Sequence, residues 1–136
     1  MILFDTSVLS RVFRRTAAGS EEKSLRLKVD AMLKEDVPLG IPVLVLQELL
    51  TGIRSEQQFA ELQSTLLGSF EIIHPDTDNY VEAARLQNKC IAKGFNVSGP
   101  DCLIAAVTIS EGHELFAIDT DFQTIARIAP LKLYLP

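Results

Sequence analysis

Four acidic residues stand where their carboxylates could bind a metal ion. They are Asp5 after the apolar run ILF, Glu48 in LVLQELLTGI, Asp101 in SGPDCLIAA and Asp119 in LFAIDTDF. Hard divalent cations such as Mg²⁺ and Mn²⁺ prefer oxygen ligands. Carboxylates held within a few ångströms of one another repel, and some take up protons unless a cation neutralises them. If the four acids converge in the fold, they predict a metal site.

Asp101 carries the clearest of the four signals. It shares a narrow stripe with Ala105 and Thr108 on a segment that is otherwise apolar, and a helix that is apolar nearly all round is a buried one. Burial makes an unpaired carboxylate costly. The pattern therefore favours a metal ligand over the simpler role of a first-turn acid that interacts with the helix dipole.

The other acids also have simpler interpretations. Asp5 could start the turn into the next helix, and Glu48 lies on the polar side of its predicted helix, where a solvated side chain is common. Asp121 is predicted to be the N-cap of the last short helix, which leaves Asp119 as the site member. Asp119 and Asp121 nevertheless both remain candidates for the fourth acid.

Alternating strands and helices must position these residues. Short apolar runs predict five strands, at ILF, PLGIP, FEIIHP, ELFAID and LKLYL. Helices are predicted over 6–15, 20–34, 42–53 (with Pro42 in the first turn), 56–67, from Asp76 or Thr77 to 93, 101–110 and 121–128. This order predicts an α/β fold with a central, mainly parallel five-stranded sheet and helices on both faces. Functional crevices in such sheets lie beyond the carboxyl ends of the strands, where Asp5 and Asp119 are predicted to end the first and fourth strands.

Length and composition place the chain among globular proteins. Its 136 residues are 47% hydrophobic and 23% charged, which predicts one domain over residues 1–136. No apolar run approaches the roughly 20 residues of a membrane span, and the N-terminal segment lacks the pattern of a secretory signal. Cys90 and Cys102 fit neither a disulfide framework nor a zinc site. We therefore expect a cytoplasmic protein with reduced, buried cysteines and no membrane association.

The net charge of −5 weighs against a nucleic-acid partner, because proteins that bind phosphate backbones are usually basic. However, six of the thirteen basic residues lie between positions 11 and 28. That segment could contact phosphates in spite of the overall charge.

Four stretches taken together resemble the PIN-domain family, in particular its VapC-type ribonuclease toxins. They are ILFDTSVLS, LVLQELLTGI, GPDCLIAA and LFAIDTDFQTIA. They occur in the family's order, and the resemblance covers essentially the whole chain. Each stretch is weak alone, but four in order form a specific pattern.

The resemblance implies roles for individual residues. Asp5, Glu48, Asp101 and Asp119 match the family's acidic quartet, and Asp5 and Asp101 match its usual direct metal ligands. The last acid of the family varies in position, so Asp121 remains an alternative. A further match implies that Thr6 or Ser7 supplies a hydroxyl that supports the first Asp. We hypothesise that Arg11, Arg14 and Arg15, from the basic N-terminal segment, contact RNA.

The implied activity is that of an endoribonuclease dependent on Mg²⁺, with Mn²⁺ as a substitute. The metal would activate a water and neutralise charge on the scissile phosphate, while the remaining acids assist proton transfer. The resemblance also implies a homodimer, and a cognate antitoxin protein that blocks the site of a toxin in a type II toxin–antitoxin pair.

Three other kinds of protein share parts of this pattern. A haloacid-dehalogenase-type phosphatase requires a second Asp two residues after the first, and Ser7 occupies that position. A response-regulator receiver requires paired acids at the end of the first strand, and Phe4 precedes Asp5 instead. The remaining alternative is a non-catalytic module that keeps a PIN scaffold for binding proteins.

Overall fold

A computed structural model describes residues 1–13 and 19–136 of the chain. The described residues form five strands: β1 (Ile2–Phe4), β2 (Leu39–Pro42), β3 (Glu71–Ile73), β4 (Glu114–Phe116) and β5 (Lys132–Leu133). They also form seven helices: α1 (Thr6–Phe13), α2 (Ser20–Lys34), α3 (Val43–Leu50), α4 (Glu56–Ser69), α5 (Thr77–Ala92), α6 (Gly99–Ser110) and α7 (Thr120–Ile128).

The five strands form one sheet in the order β3-β2-β1-β4-β5, and every neighbouring pair is parallel. The α/β fold expected from the sequence is confirmed. The strand order reverses between β1 and β4, because the chain builds outward from β1 to β3 and then crosses to the other side. Connections between parallel strands are right-handed. The connections on the β2–β3 side of β1 and those on the β4–β5 side therefore place their helices on opposite faces of the sheet. In agreement, α1 contacts α2 and α3, while α6 contacts α5 and α7.

Aromatic packing fixes the end of β1. Phe4 is fully buried, with its ring 5.3 Å from that of Phe70 and 5.5 Å from that of Phe116. Phe116 in turn contacts Tyr134, at 5.2 Å between ring centroids. Such aromatic contacts add to the burial of apolar surface. The residue that follows Phe4 is Asp5, so this cluster anchors the position from which that carboxylate projects.

Side-chain caps begin helices α4 to α7. Of the two caps that the sequence predicted for α5, Asp76 or Thr77, Asp76 is the N-cap, and it forms a capping box with Asn79. Gly94 follows α5 with a φ of +83°, a conformation that favours glycine.

α2 has the predicted bounds. Pro42 is the last residue of β2 and the N-cap of α3 rather than part of the first helical turn.

Two expectations around β4 are wrong. The strand ends at Phe116, three residues before Asp119, because the chain leaves the sheet after its last pairing with β1 at Phe4. The N-cap of α7 is Asp119 and not Asp121, since the Asp119 side chain accepts a hydrogen bond from the Asp121 backbone N–H.

Both cysteines are free and buried, as expected. Burial raises the pKa of the Cys102 thiol to about 11, which disfavours the reactive thiolate. Of the helices in the described part of the chain, none has the length and hydrophobicity that crossing a membrane requires.

Candidate functional site

Asp5 lies at the switch point between β1 and β4. Its backbone N–H donates to the carbonyl of Phe116 at 3.0 Å, and its Oδ2 accepts a hydrogen bond from the Ser7 backbone N–H at 3.0 Å. The residue is only 5% exposed. Burial raises the pKa of the Asp5 carboxyl above its usual value, hydrogen bonds from Ser7 and Thr6 oppose this, and the charge of Asp119 adds to the rise. Asp5 is therefore a buried carboxylate that interacts with a second acid.

Asp101 lies in the first turn of α6, and its backbone N–H donates to the Ser98 hydroxyl at 3.2 Å. Burial raises the pKa of the half-buried Asp101 carboxyl to about 6, and the charges of Asp5, Asp119 and Asp121 contribute to that rise. Ser98 is the N-cap of α6, a role that was not predicted from the sequence. Its signal is the spacing Ser-Gly-Pro-Asp, a cap residue three positions before an acid and with proline in the first turn.

Asp119 and Asp121 approach Asp101 from α7. Each of these three residues offers a carboxylate oxygen, and the three oxygens lie within 4.8 Å of one another. Asp119 is exposed and Asp121 half-buried. The Oδ1 atom of Asp119 caps the helix by accepting from the Asp121 N–H at 2.9 Å. Both candidates for the fourth acid therefore lie in the same cluster.

Glu48 reaches the site through a different contact. It lies half-buried on α3, and its Oε1 accepts a hydrogen bond from the Thr6 hydroxyl at 2.8 Å. Thr6 directly follows Asp5, so this bond ties α3 to the turn that carries the first acid. Glu48 is linked to the cluster through Thr6, whereas Asp5, Asp101, Asp119 and Asp121 interact through their charges.

The basic residues expected to contact RNA are only partly covered by the structure. Arg11 lies half-buried in the last turn of α1. Arg14 and Arg15 fall outside the described residues, and their contribution stays a prediction.

The chemistry of the cluster fits a hard divalent cation. Asp101, Asp119 and Asp121 form the close group, and Asp5 interacts with Asp101 and Asp119 through its charge. No lysine, arginine or histidine among residues 1–13 and 19–136 forms an ion pair with these acids. Their mutual repulsion contributes to the raised pKa of Asp101. Oxygen donors with unbalanced negative charge suit Mg²⁺ or Mn²⁺.

Comparison with known proteins agrees with this geometry. A protein-family model described as "PIN domain" matches residues 2–128. The VapC ribonuclease Mb1587 of Mycobacterium bovis and the ribonuclease VapC11 of Mycobacterium tuberculosis are each 29% identical to this chain over 133 residues. The alignment covers 97% of this chain and 96% of each relative.

Solved structures show the same fold. VapBC2 from Rickettsia felis, bound to a promoter DNA fragment, has a TM-score of 0.76 at 22% identity and covers 98% of both chains. VapC20 from Mycobacterium tuberculosis, described as a toxin that cleaves the sarcin-ricin loop, has a TM-score of 0.72 at 18% identity and covers 97% of this chain and 99% of its own. With the family model spanning nearly the whole length and the acids gathered at the strand ends, the chain belongs to the PIN-domain family.

Proposed function

We propose that this protein is a metal-dependent endoribonuclease and the toxin of a type II toxin–antitoxin pair. The observation that supports the proposal most strongly is the convergence of Asp101, Asp119 and Asp121, with carboxylate oxygens within 4.8 Å of one another, beside the buried Asp5. Relatives of similar length that carry the name VapC ribonuclease support RNA as the substrate. The resemblance to toxin–antitoxin complexes supports an antitoxin as the protein partner.

The acids have distinct roles in this proposal. Asp5 and Asp101 would hold the metal ion, and Asp119 or Asp121 would supply a further carboxylate oxygen. When bound, Mg²⁺ supplies positive charge to the scissile phosphate and lowers the pKa of the attacking water. Glu48, whose Oε1 is oriented by the Thr6 hydroxyl, accepts a proton from that water or orients it. Arg11 and the neighbouring basic residues contact the RNA backbone.

We also propose that the protein is a homodimer that associates through a neutral face, which we define as the two adjoining hollows over α3, α5 and α6. Leu44, Tyr80 and Leu103 line both hollows, and none of the described residues that line them is charged. A symmetric dimer presents the same patch twice. Two copies of a chain with a net charge of −5 approach most easily through an uncharged surface, so this face fits a second copy.

Cleavage of RNA by purified protein tests the activity. The wild type is incubated with cellular RNA in Mg²⁺, in Mn²⁺ and in EDTA, beside Asp5→Asn and Asp101→Asn. We expect cleavage with either metal and none in EDTA. Each variant should lower the rate by about 100-fold or more, because each removes a carboxylate that holds the ion. Asp36→Asn, at an exposed acid after α2, is the matched control and should keep full activity.

The outcomes separate the competing interpretations. Equal cleavage by wild type and both site variants would identify a contaminating nuclease and overturn the proposal. A folded wild type that binds the antitoxin but cleaves no RNA with either metal would favour the non-catalytic binding module. Circular dichroism of every variant establishes that the fold is retained.

A further inference from the structure

Ser7 lies between the two chain segments that carry the acids. It is the second residue of α1, and its backbone N–H donates to the Oδ2 atom of Asp5 at 3.0 Å. Its side-chain Oγ accepts hydrogen bonds from the backbone N–H groups of Ile118, at 3.0 Å, and Asp119, at 3.4 Å. One residue thus contacts both the first acid and the loop of the last.

The loop of residues 117–119 depends on such a contact. It lies between the end of β4 at Phe116 and the start of α7 at Thr120, beyond the last strand pairing with β1. Ile118 and Asp119 are exposed, so few packing contacts fix their backbone. The Ser7 hydroxyl oxygen accepts from the backbone N–H groups of both residues and so connects the loop to α1.

Asp119 transmits the position of this loop to Asp121. The Asp119 side chain caps α7 through the Asp121 N–H, so a shift of the loop would move both carboxylates relative to Asp101. The neighbouring hydroxyl has a different partner, because Thr6 donates to Glu48 at 2.8 Å. Adjacent hydroxyl residues therefore reach different parts of the site: Thr6 contacts the carboxylate of Glu48 on α3, and Ser7 contacts the backbone of the loop that carries Asp119.

We propose that Ser7 is a positioning residue that holds Asp119 and Asp121 in the arrangement that binds the metal, opposite Asp5. The proposal rests on the proposed function. It assigns the Ser7 hydroxyl to the β4–α7 loop, in addition to any support that this hydroxyl gives to Asp5. The burial of Asp5 beside Ser7 agrees with this, because Asp5 has no freedom to follow a displaced loop.

The test measures metal binding and loop protection in the absence of RNA. Wild type, Ser7→Ala, Ser7→Thr and the control Ser10→Ala, one turn further along α1, are titrated with Mn²⁺ by calorimetry. Amide hydrogen exchange of residues 117–121 is followed in parallel without metal. We expect Ser7→Ala to weaken Mn²⁺ binding about tenfold, the usual effect of losing a partner that orients metal ligands. The amides of Ile118 and Asp119 should exchange faster in this variant.

Ser7→Thr retains the hydroxyl and should keep Mn²⁺ affinity within about twofold of wild type, and Ser10→Ala should match wild type in both measurements. If Ser7→Ala does not fold, Ser7→Cys gives the same comparison, because it preserves shape while its sulfur accepts hydrogen bonds only weakly.

Faster exchange with unchanged Mn²⁺ affinity would make Ser7 a purely structural residue and overturn the inference. A wild type that binds no Mn²⁺ would instead refute the proposed function, and the inference with it.

Discussion

At Asp101, the metal-free protein bears the energetic cost of a carboxylate that is half-buried and lies near other acids. The pKa of this carboxyl is raised from 3.8 to about 6. At pH values between these two pKa values, the folded state therefore binds more protons than the unfolded state. The free energy of unfolding should therefore fall as pH rises through this window. In EDTA at pH 7.5, we expect the free energy of unfolding of Asp101→Asn to exceed that of wild type by about 1–2 kcal/mol. This value is smaller than the full pKa shift implies, because solvent screens the half-buried carboxylate. Urea unfolding at pH 5 and pH 7.5 measures the difference.

The stability difference between wild type and Asp101→Asn should reverse when metal is present. Added Mg²⁺ should stabilise the wild type at pH 7.5 and leave Asp101→Asn nearly unchanged, because ligands that bind only the folded state stabilise it. Asp36→Asn should follow wild type under all these conditions. If Asp101→Asn were the less stable protein in EDTA at pH 7.5, the ionised Asp101 carboxylate would not destabilise the metal-free fold.

At the scale of elements, the sequence predicts the helices better than the ends of the strands. The capping residue Asp76 and the stop at Gly94 are local signals, and α5 follows them. The end of β4 is not local, since it depends on where β1 ends and on the Ser7 hydroxyl 111 residues away. For the same reason the sequence predicted Asp121 as the cap of α7, whereas the path of the loop makes Asp119 the cap.

Asp119 should therefore combine two separable functions, as the cap of α7 and as an acid of the cluster. Asp119→Asn keeps an oxygen that can accept the Asp121 N–H, whereas Asp119→Ala loses it, and both lose the charge. We expect both variants to bind Mn²⁺ more weakly, but only alanine to lose the cap, with a free energy of unfolding about 1 kcal/mol below that of asparagine. Calorimetry and urea unfolding measure the two effects.

A second cap provides the control for that comparison. The same substitutions at Asp76, the N-cap of α5, should reproduce the stability difference and leave Mn²⁺ binding unchanged. Equal stability of the asparagine and alanine variants at position 119 would show that the cap contributes nothing in solution.

At the scale of the whole molecule, topology explains why part of the site could be predicted. The rule for strand ends predicts Asp5 and Asp119 at one edge of the sheet, and the two acids do interact, although β4 ends three residues before Asp119. It could not give the pairing of Phe4 with Phe116 that makes β1 and β4 neighbours. Nor could a helical pattern reveal that Glu48 is oriented by Thr6, because that contact depends on how α3 packs beside α1.

The neutral face predicts the effect of a charge at Tyr80. This side chain is 57% exposed and lines both hollows over α3, α5 and α6, so in a symmetric dimer it lies at the interface. Tyr80→Glu would bury two like charges there, and we expect the dimer dissociation constant to rise at least about tenfold. Analytical ultracentrifugation across a concentration series measures this constant. Leu27→Glu, at a 71% exposed position on α2, is the control and should remain dimeric. A dimer unaffected by Tyr80→Glu, or a wild type that stays monomeric, would contradict the assignment of this face to a second copy.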